Sequence, residues 1–231
     1  MNYFSKMQDQ QQIIHFCHIP KCGGKSLRRG LIEAYGDRIC LFNPTPLRVT
    51  FWEKILYKCL QSKNFIKPYK YINNFDIVYG HYSFDFLYSS HQRPIKRAAF
   101  FRDPVEWVGS FYFYHKKKFQ KEFNKIDILQ FIKKYNLTKG YRIHLGSFSV
   151  GNLDFVGITE QYQESLKLYK KRFGVSIEHY HMNKTNVVQK SYKEYFIEQG
   201  IYEKVTYLMK ENIEIYKQAI DLFKRMQNET Y

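Results

Sequence analysis

Apolar positions along this chain of 231 residues follow two alternating rhythms. Ile13-Ile14-His15-Phe16-Cys17-His18-Ile19 is a short β-prone run, closed by Pro20 and the pair Gly23-Gly24. From Gly24 the rhythm turns helical, with Leu27, Leu31, Ile32 and Tyr35 on one face. Residues 40–47 carry Pro44 and Pro46 and read as a loop, and 48–61 as a helix with Phe51, Ile55 and Leu56 inward. Asp76 to Gly80 and Arg97 to Arg102 read as two further strands, the second ending at Asp103-Pro104. A helix is expected from Val105 to about Lys118, with Pro104 suited to its first turn. Segment 119–150 reads as mostly helical, Asp154 to Ile158 as a fourth strand, and Glu160 to Arg172 as a helix. Val175 to Tyr180 is a candidate fifth strand. A last helix over 201–226 places Val205, Leu208, Ile215, Ala219, Ile220 and Phe223 on one broad face.

Apolar strands alternating with helices predict an α/β fold whose parallel sheet is covered on both faces. Residues 1–12 are polar and Gln-rich and read as a flexible tail without a signal-peptide centre; 13–231 read as a single domain. No apolar stretch approaches the ~18 residues of a spanning helix, so a cytoplasmic protein is expected.

Composition narrows the function class. Hydrophobic residues make up 44% of the chain, which excludes a disordered protein. With 37 basic and 21 acidic residues the net charge is +16, so the partner or substrate is expected to be anionic. That balance does not choose between nucleic acid, nucleotide, anionic sugar and lipid headgroup. Cys17, Cys22, Cys40 and Cys59 form no CxxC pair and read as reduced thiols.

Chemistry concentrates at two strand–turn–helix junctions. In His18-Ile19-Pro20-Lys21-Cys22-Gly23-Gly24-Lys25-Ser26-Leu27 a strand feeds a glycine-bearing loop that opens into a helix. The unpartnered N–H groups and dipole of such a helix start form an anion site. Gly23 and Gly24 allow close backbone approach, Lys21 and Lys25 add charge, and Ser26 adds a hydroxyl. Gly24-Lys25-Ser26 ends like a Walker A loop, but that pattern needs glycine where this chain has Ile19. The second junction, Phe100-Phe101-Arg102-Asp103-Pro104-Val105-Glu106-Trp107-Val108-Gly109-Ser110-Phe111-Tyr112, sets Arg102 where a strand ends and a helix begins. Its guanidinium can grip a phosphate, Asp103 can cap the helix, and Ser110 lies two turns further on.

Together the two segments resemble the cofactor signatures of the sulfotransferase superfamily, "HIPKTGGTSL" and "RDPVERFLSxYY", most closely those of the carbohydrate type related to heparan sulfate 2-O-sulfotransferase. Phe155-Val156-Gly157-Ile158-Thr159-Glu160 is similar to the family's "FVGxTE" strand end, and the last helix to its C-terminal tail. The resemblance spans roughly residues 13–226. It implies a three-layer, P-loop NTPase-like parallel sheet flanked by helices, and transfer of a sulfuryl group from 3′-phosphoadenosine 5′-phosphosulfate to an acceptor hydroxyl, on a carbohydrate, with no metal. It implies that Lys21, Cys22, Gly23, Gly24, Lys25 and Ser26 hold the 5′-phosphosulfate, and that Arg102 and Ser110 hold the 3′-phosphate. Lys184 would contact the nucleotide from a later loop. Lys21 would neutralise the leaving phosphate. His81 would be the base: it follows the strand end Val78-Tyr79-Gly80, where relatives carry "HGH", and Tyr79 replaces the first of those histidines. Cys22 and Lys25 replace two threonines of the family loop, and Trp107 replaces an arginine.

Other features stay open. His15 and His18, three apart in a strand, are expected on opposite faces, and His179 and His181 lack further ligands for a metal. His115 to Lys118 reads as a solvated helix end or as a hold for an anionic acceptor, and Arg142 is a weaker acceptor candidate. The competing readings are a P-loop-like small-metabolite kinase using Mg·ATP, and a nucleic-acid-binding module resting on charge and aromatics. The kinase needs an acid at a strand end, where Thr159-Glu160 is a poor substitute.

Overall fold

Five short strands form one all-parallel sheet in the order β2-β3-β1-β4-β5. The computed structural model describes residues 12–42, 74–87, 93–120, 125–180 and 191–229. The strands are β1 (Ile13–Cys17), β2 (Ile39–Phe42), β3 (Ile77–Gly80), β4 (Ile95–Phe101) and β5 (Phe155–Ile158). The helices are α1 (Gly24–Tyr35), α2 (Pro104–Lys118), α3 (Ile128–Lys134), α4 (Gly140–Leu145), α5 (Tyr162–Phe173), α6 (Tyr192–Glu198), α7 (Tyr202–Leu208) and α8 (Lys210–Asn228).

The three layers follow from strand alternation. Phe16, Phe100 and Phe155 point to one face, where their rings meet Tyr169 and Tyr162 of α5. Tyr35 of α1 shares a 2.8 Å hydroxyl bond with Tyr169, so α1 and α5 close that face together. Phe101 points to the opposite face and meets Tyr141 of α4, which packs on Trp107 of α2. Ala98 and Gly157 stand among these large rings; a Cβ on Gly157 would press into the Phe100 ring. The sequence expectation of a P-loop NTPase-like sheet between helical layers is therefore the architecture found.

β1 is the central strand. The chain leaves it toward β2 through α1 on one face and leaves β4, its neighbour, through α2 on the other. The carboxyl ends of β1 and β4 are consequently the point from which the chain departs to opposite faces, the position at which open α/β sheets bind ligands. No helix among the described residues is long and apolar enough to cross a membrane.

Three expectations about elements are corrected. Ile39–Phe42 is an edge strand, not part of a loop. Pro44 and Pro46 lie beyond it, and an edge position needs hydrogen bonds on one side only. Residues 175–180 form no strand: Ile177 is buried on α1 at Gly30, where a Cβ would come within 2.5 Å of it. The final helix is two, broken at Met209 (φ −93°, ψ 8°). Buried Asn212 fixes the second of them, accepting the Tyr141 N–H at 2.9 Å and donating to the carbonyls of Leu137 and Thr138. The described residues of 119–150 are mostly helical, as expected, in α3, α4 and 3-10 turns beside them. The helix expected over 48–61 lies outside the described residues.

Candidate active site

The loop after β1 is built to leave amides free. Lys21 (φ 68°) and Gly23 (φ 73°) both take left-handed conformations, which turn the chain sharply into α1. Such a φ is uncommon for a lysine and marks a constrained position. The first helical bond runs from the Leu27 N–H to the Gly23 carbonyl at 3.2 Å, so the Gly24, Lys25 and Ser26 amides lack backbone acceptors. No side chain caps the helix, and its first turn holds no acid. The Cys22 amide is engaged at 3.4 Å with the Ile19 carbonyl, and the Cys22 side chain is fully buried. Burial pushes its thiol pKa up. Cys22 therefore acts as a packing residue at the floor of the loop.

The second junction comes to the first. Nη1 of Arg102 lies 3.5 Å from the Lys21 carbonyl oxygen, and the Trp107 indole N–H donates to the Pro20 carbonyl at 2.7 Å. Asp103 caps α2, its carboxylate accepting from Val105 and Glu106 amides at 2.9 and 3.1 Å. The starts of α1 and α2 thus lie side by side. Arg102 is flanked by Glu106 at 3.6 Å and Glu160 at 3.9 Å. Glu160 is itself held: it accepts the Asp103 N–H at 2.9 Å and the Tyr216 hydroxyl at 2.9 Å. Ser110 is half-buried and shares a hydrogen bond with Tyr192, a ring that also stands close to Arg102. The Lys21 ammonium sits 4.3 Å from the Tyr114 ring centroid, a cation–π contact. Burial lowers its pKa, and the charges of Arg102 and Lys25 lower it further.

His81 lies on the other side of the loop, past the end of β3. Its Nδ1 is 2.8 Å from the His18 carbonyl oxygen, so Nδ1 carries the proton and donates, and Nε2 is the basic nitrogen. The His18 ring stacks on it at 4.2 Å and on Tyr79 at 5.1 Å. His18 Nε2 is buried without a partner against Gly24, where a Cβ would overlap it. Tyr79 donates its hydroxyl to the Gly24 carbonyl at 3.0 Å. Burial lowers the His81 pKa, and the Arg28 charge adds to this, against the opposing effect of the hydrogen bond to His18. His144 follows behind, its pKa lowered to about 4 by burial. His15 faces Tyr82 on the opposite side of the sheet from His18, as the alternation requires.

Arg102 is thus drawn to the Lys21 carbonyl and Ser110 to Tyr192, while His81 lies on the other side of the loop with His18, Gly24 and Lys25. Lys184 and His181 lie outside the described residues. Arg142 is engaged elsewhere, 3.7 Å from Glu211 and donating to the Phe148 carbonyl. Among the described residues no group of three or more His, Cys, Asp and Glu side chains is arranged to hold a metal. His18, Tyr114, Glu160 and Tyr192 were not picked out as site residues from sequence. Glu160 had a signal in the Phe155–Glu160 strand end and His18 in opening the first loop motif; Tyr192 comes from a helix with no motif of its own.

Two solved structures are similar in overall course. A sulfotransferase of Alicyclobacillus acidocaldarius matches over 88% of this chain and 96% of its own, at 14% identity and a TM-score of 0.45. Mouse sulfotransferase SULT7A1, complexed with PAP, matches over 95% of this chain and 89% of its own, at 14% identity and a TM-score of 0.41. Likenesses this remote bear on neither substrate nor mechanism. No family model and no curated protein matches the chain.

Proposed function

We propose that this protein is a sulfotransferase, moving a sulfuryl group from 3′-phosphoadenosine 5′-phosphosulfate to an acceptor hydroxyl, on a carbohydrate. The observation that carries the reading is the 3.5 Å approach of Arg102 to the Lys21 carbonyl, which brings two helix starts side by side. A nucleotide phosphorylated at both ends suits that arrangement. The uncapped start of α1 carries free amides and no acid, with Lys21, Lys25 and Arg102 crowded around it. These cations repel one another, and an anion between them removes the repulsion.

The donor supplies a sulfur–oxygen bond whose cleavage leaves charge on the 5′-phosphate. Lys21 and the Gly24–Ser26 amides meet that charge with fixed dipoles and a full positive charge. Arg102 and Ser110 hold the 3′-phosphate. His81 takes the acceptor proton at Nε2, since Nδ1 is committed to the His18 carbonyl. A kinase reading would route Glu160 to a metal, but both of its oxygens are bonded to Asp103 and Tyr216.

Thermal unfolding tests the reading. Adenosine 3′,5′-bisphosphate (PAP) should stabilise the protein without Mg²⁺ by about 2.7 kcal/mol at a hundredfold excess over Kd, which raises Tm by roughly 5–10 °C at this chain length. ATP should give a far smaller shift. An equal or larger shift with Mg·ATP overturns the proposal in favour of a kinase.

A further inference from the structure

Lys21 is held by residues more than eighty positions away in the chain. Its left-handed backbone (φ 68°) sets the direction of two peptide planes, and both carbonyls that flank it are met from the second junction. The carbonyl before it, that of Pro20, accepts the Trp107 indole N–H at 2.7 Å. Its own carbonyl faces Nη1 of Arg102 at 3.5 Å. The side chain ends on the same helix, with the ammonium 4.3 Å from the Tyr114 ring centroid. Trp107, Ser110 and Tyr114 stand at i, i+3 and i+7 on α2, so one stripe of that helix carries all three.

Trp107 can act as a fixed point because it is itself immobilised. It is buried in the core and packs on the Tyr141 ring at 5.0 Å. Gly140 lets α4 come close to it: a Cβ there would lie 2.3 Å from its Cη2. Tyr141 in turn donates its hydroxyl to the Arg102 carbonyl, and its own N–H is accepted by buried Asn212. The indole offers one donor and no acceptor, so the Pro20 carbonyl faces no competing use of that ring. Trp107 stands where the sulfotransferase signature has an arginine, so this tie belongs to the present sequence rather than to the motif.

We infer that Trp107 is a positioning residue for Lys21: its indole N–H holds the peptide before Lys21 and thereby keeps the lysine in the left-handed conformation that aims the loop at the donor's 5′-phosphate. The inference rests on the sulfuryl-transfer reading and adds to it a residue that touches neither phosphate. An L-residue released from such a constraint moves to the right-handed or extended regions, which sterics favour. The loop amides and the ammonium then lose their alignment, and the 5′-phosphate binds only after the loop has been reordered. Trp107 sits on the helix assigned to the 3′-phosphate, yet its removal acts at the 5′ end.

A double-mutant cycle tests this. Trp107→Phe keeps an aromatic ring and removes the donor, and Lys21→Gly places at 21 the one residue that adopts a positive φ without strain. PAP affinity is measured by calorimetry for the wild type, both single variants and the double variant. Trp107→Phe should weaken PAP about five- to tenfold in the wild-type background, as loss of one hydrogen bond does, and less than twofold beside Lys21→Gly. Tm of the ligand-free proteins gives a second cycle: Lys21→Gly should act more favourably on Tm in the wild type than in Trp107→Phe. A general loosening of α2 would weaken PAP equally in both backgrounds. If Trp107→Phe fails to fold, 3-benzothienylalanine in place of Trp107 keeps the ring shape without the N–H, and the same two cycles are run. Additive effects on PAP affinity, or wild-type affinity in Trp107→Phe, overturn the inference and leave the donor reading standing. Absence of PAP binding to the wild type strikes the donor reading instead, and additivity in the ligand-free Tm cycle then decides against Trp107.

Discussion

At the scale of the residue, His81 is the group on which turnover depends most directly. Its Nδ1–H is fixed by the His18 carbonyl, and burial favours its neutral form, which is the form that accepts a proton. Because its pKa lies below the ordinary 6.5, transfer should hold through neutral pH and fall only as pH drops below that value. His81→Ala should lower kcat by about 10²–10⁴-fold and remove this acid limb, with PAP affinity nearly unchanged. Unchanged turnover in a pH-rate series would exclude the role. Tyr114 shows what single-residue patterns cannot announce. It lies three turns along α2, and its contact with Lys21 arises only because α2 runs back past the loop.

At the scale of the element, the junction between β1 and α1 tolerates almost no added volume. Gly24 abuts the His18 ring, and that ring stacks on His81. Gly24→Ala should therefore destabilise the fold by about 1–3 kcal/mol, as overpacking does, and should depress turnover by displacing the stacked pair. Urea unfolding and kcat measured on one preparation check both effects; a wild-type kcat would break the link from Gly24 to His81. This junction was legible in the sequence because a strand, two glycines and an amphipathic helix follow without a spacer. The edge strand Ile39–Phe42 was not, since four residues beside two prolines carry too little periodicity to outweigh them. The break at Met209 was equally hidden: the apolar face continues through it, and the cause is a buried amide contact of Asn212 with residues more than seventy positions away.

At the scale of the whole molecule, several histidines are held neutral inside a strongly basic protein. Burial lowers the pKa values of His18, His81, His115 and His144, the last to about 4. In the unfolded chain these groups take up protons near 6.5. The unfolded state then binds more protons than the folded one, so stability rises with pH through this window and is lost as pH falls below it. Tm of the ligand-free protein should accordingly drop between pH 7 and pH 5, above the range in which carboxylates titrate. A Tm flat over that interval would show that the histidines are solvated. The paired starts of α1 and α2 were readable as motifs, but their meeting was not, because it depends on strand order: β1 and β4 are neighbours in the sheet although more than eighty residues separate them.

The two carboxylates beside Arg102 carry a last consequence. With Glu106 at 3.6 Å and Glu160 at 3.9 Å, this guanidinium is never bare. An incoming anion gains only the difference between itself and the partners already in place. A phosphodiester, with one charge shared over two oxygens, offers little advantage over them, whereas a terminal phosphate brings two charges and three acceptors. Discrimination between a free 3′-phosphate and a chain-internal phosphate would then reside in the acids that compete for the arginine as much as in the arginine itself.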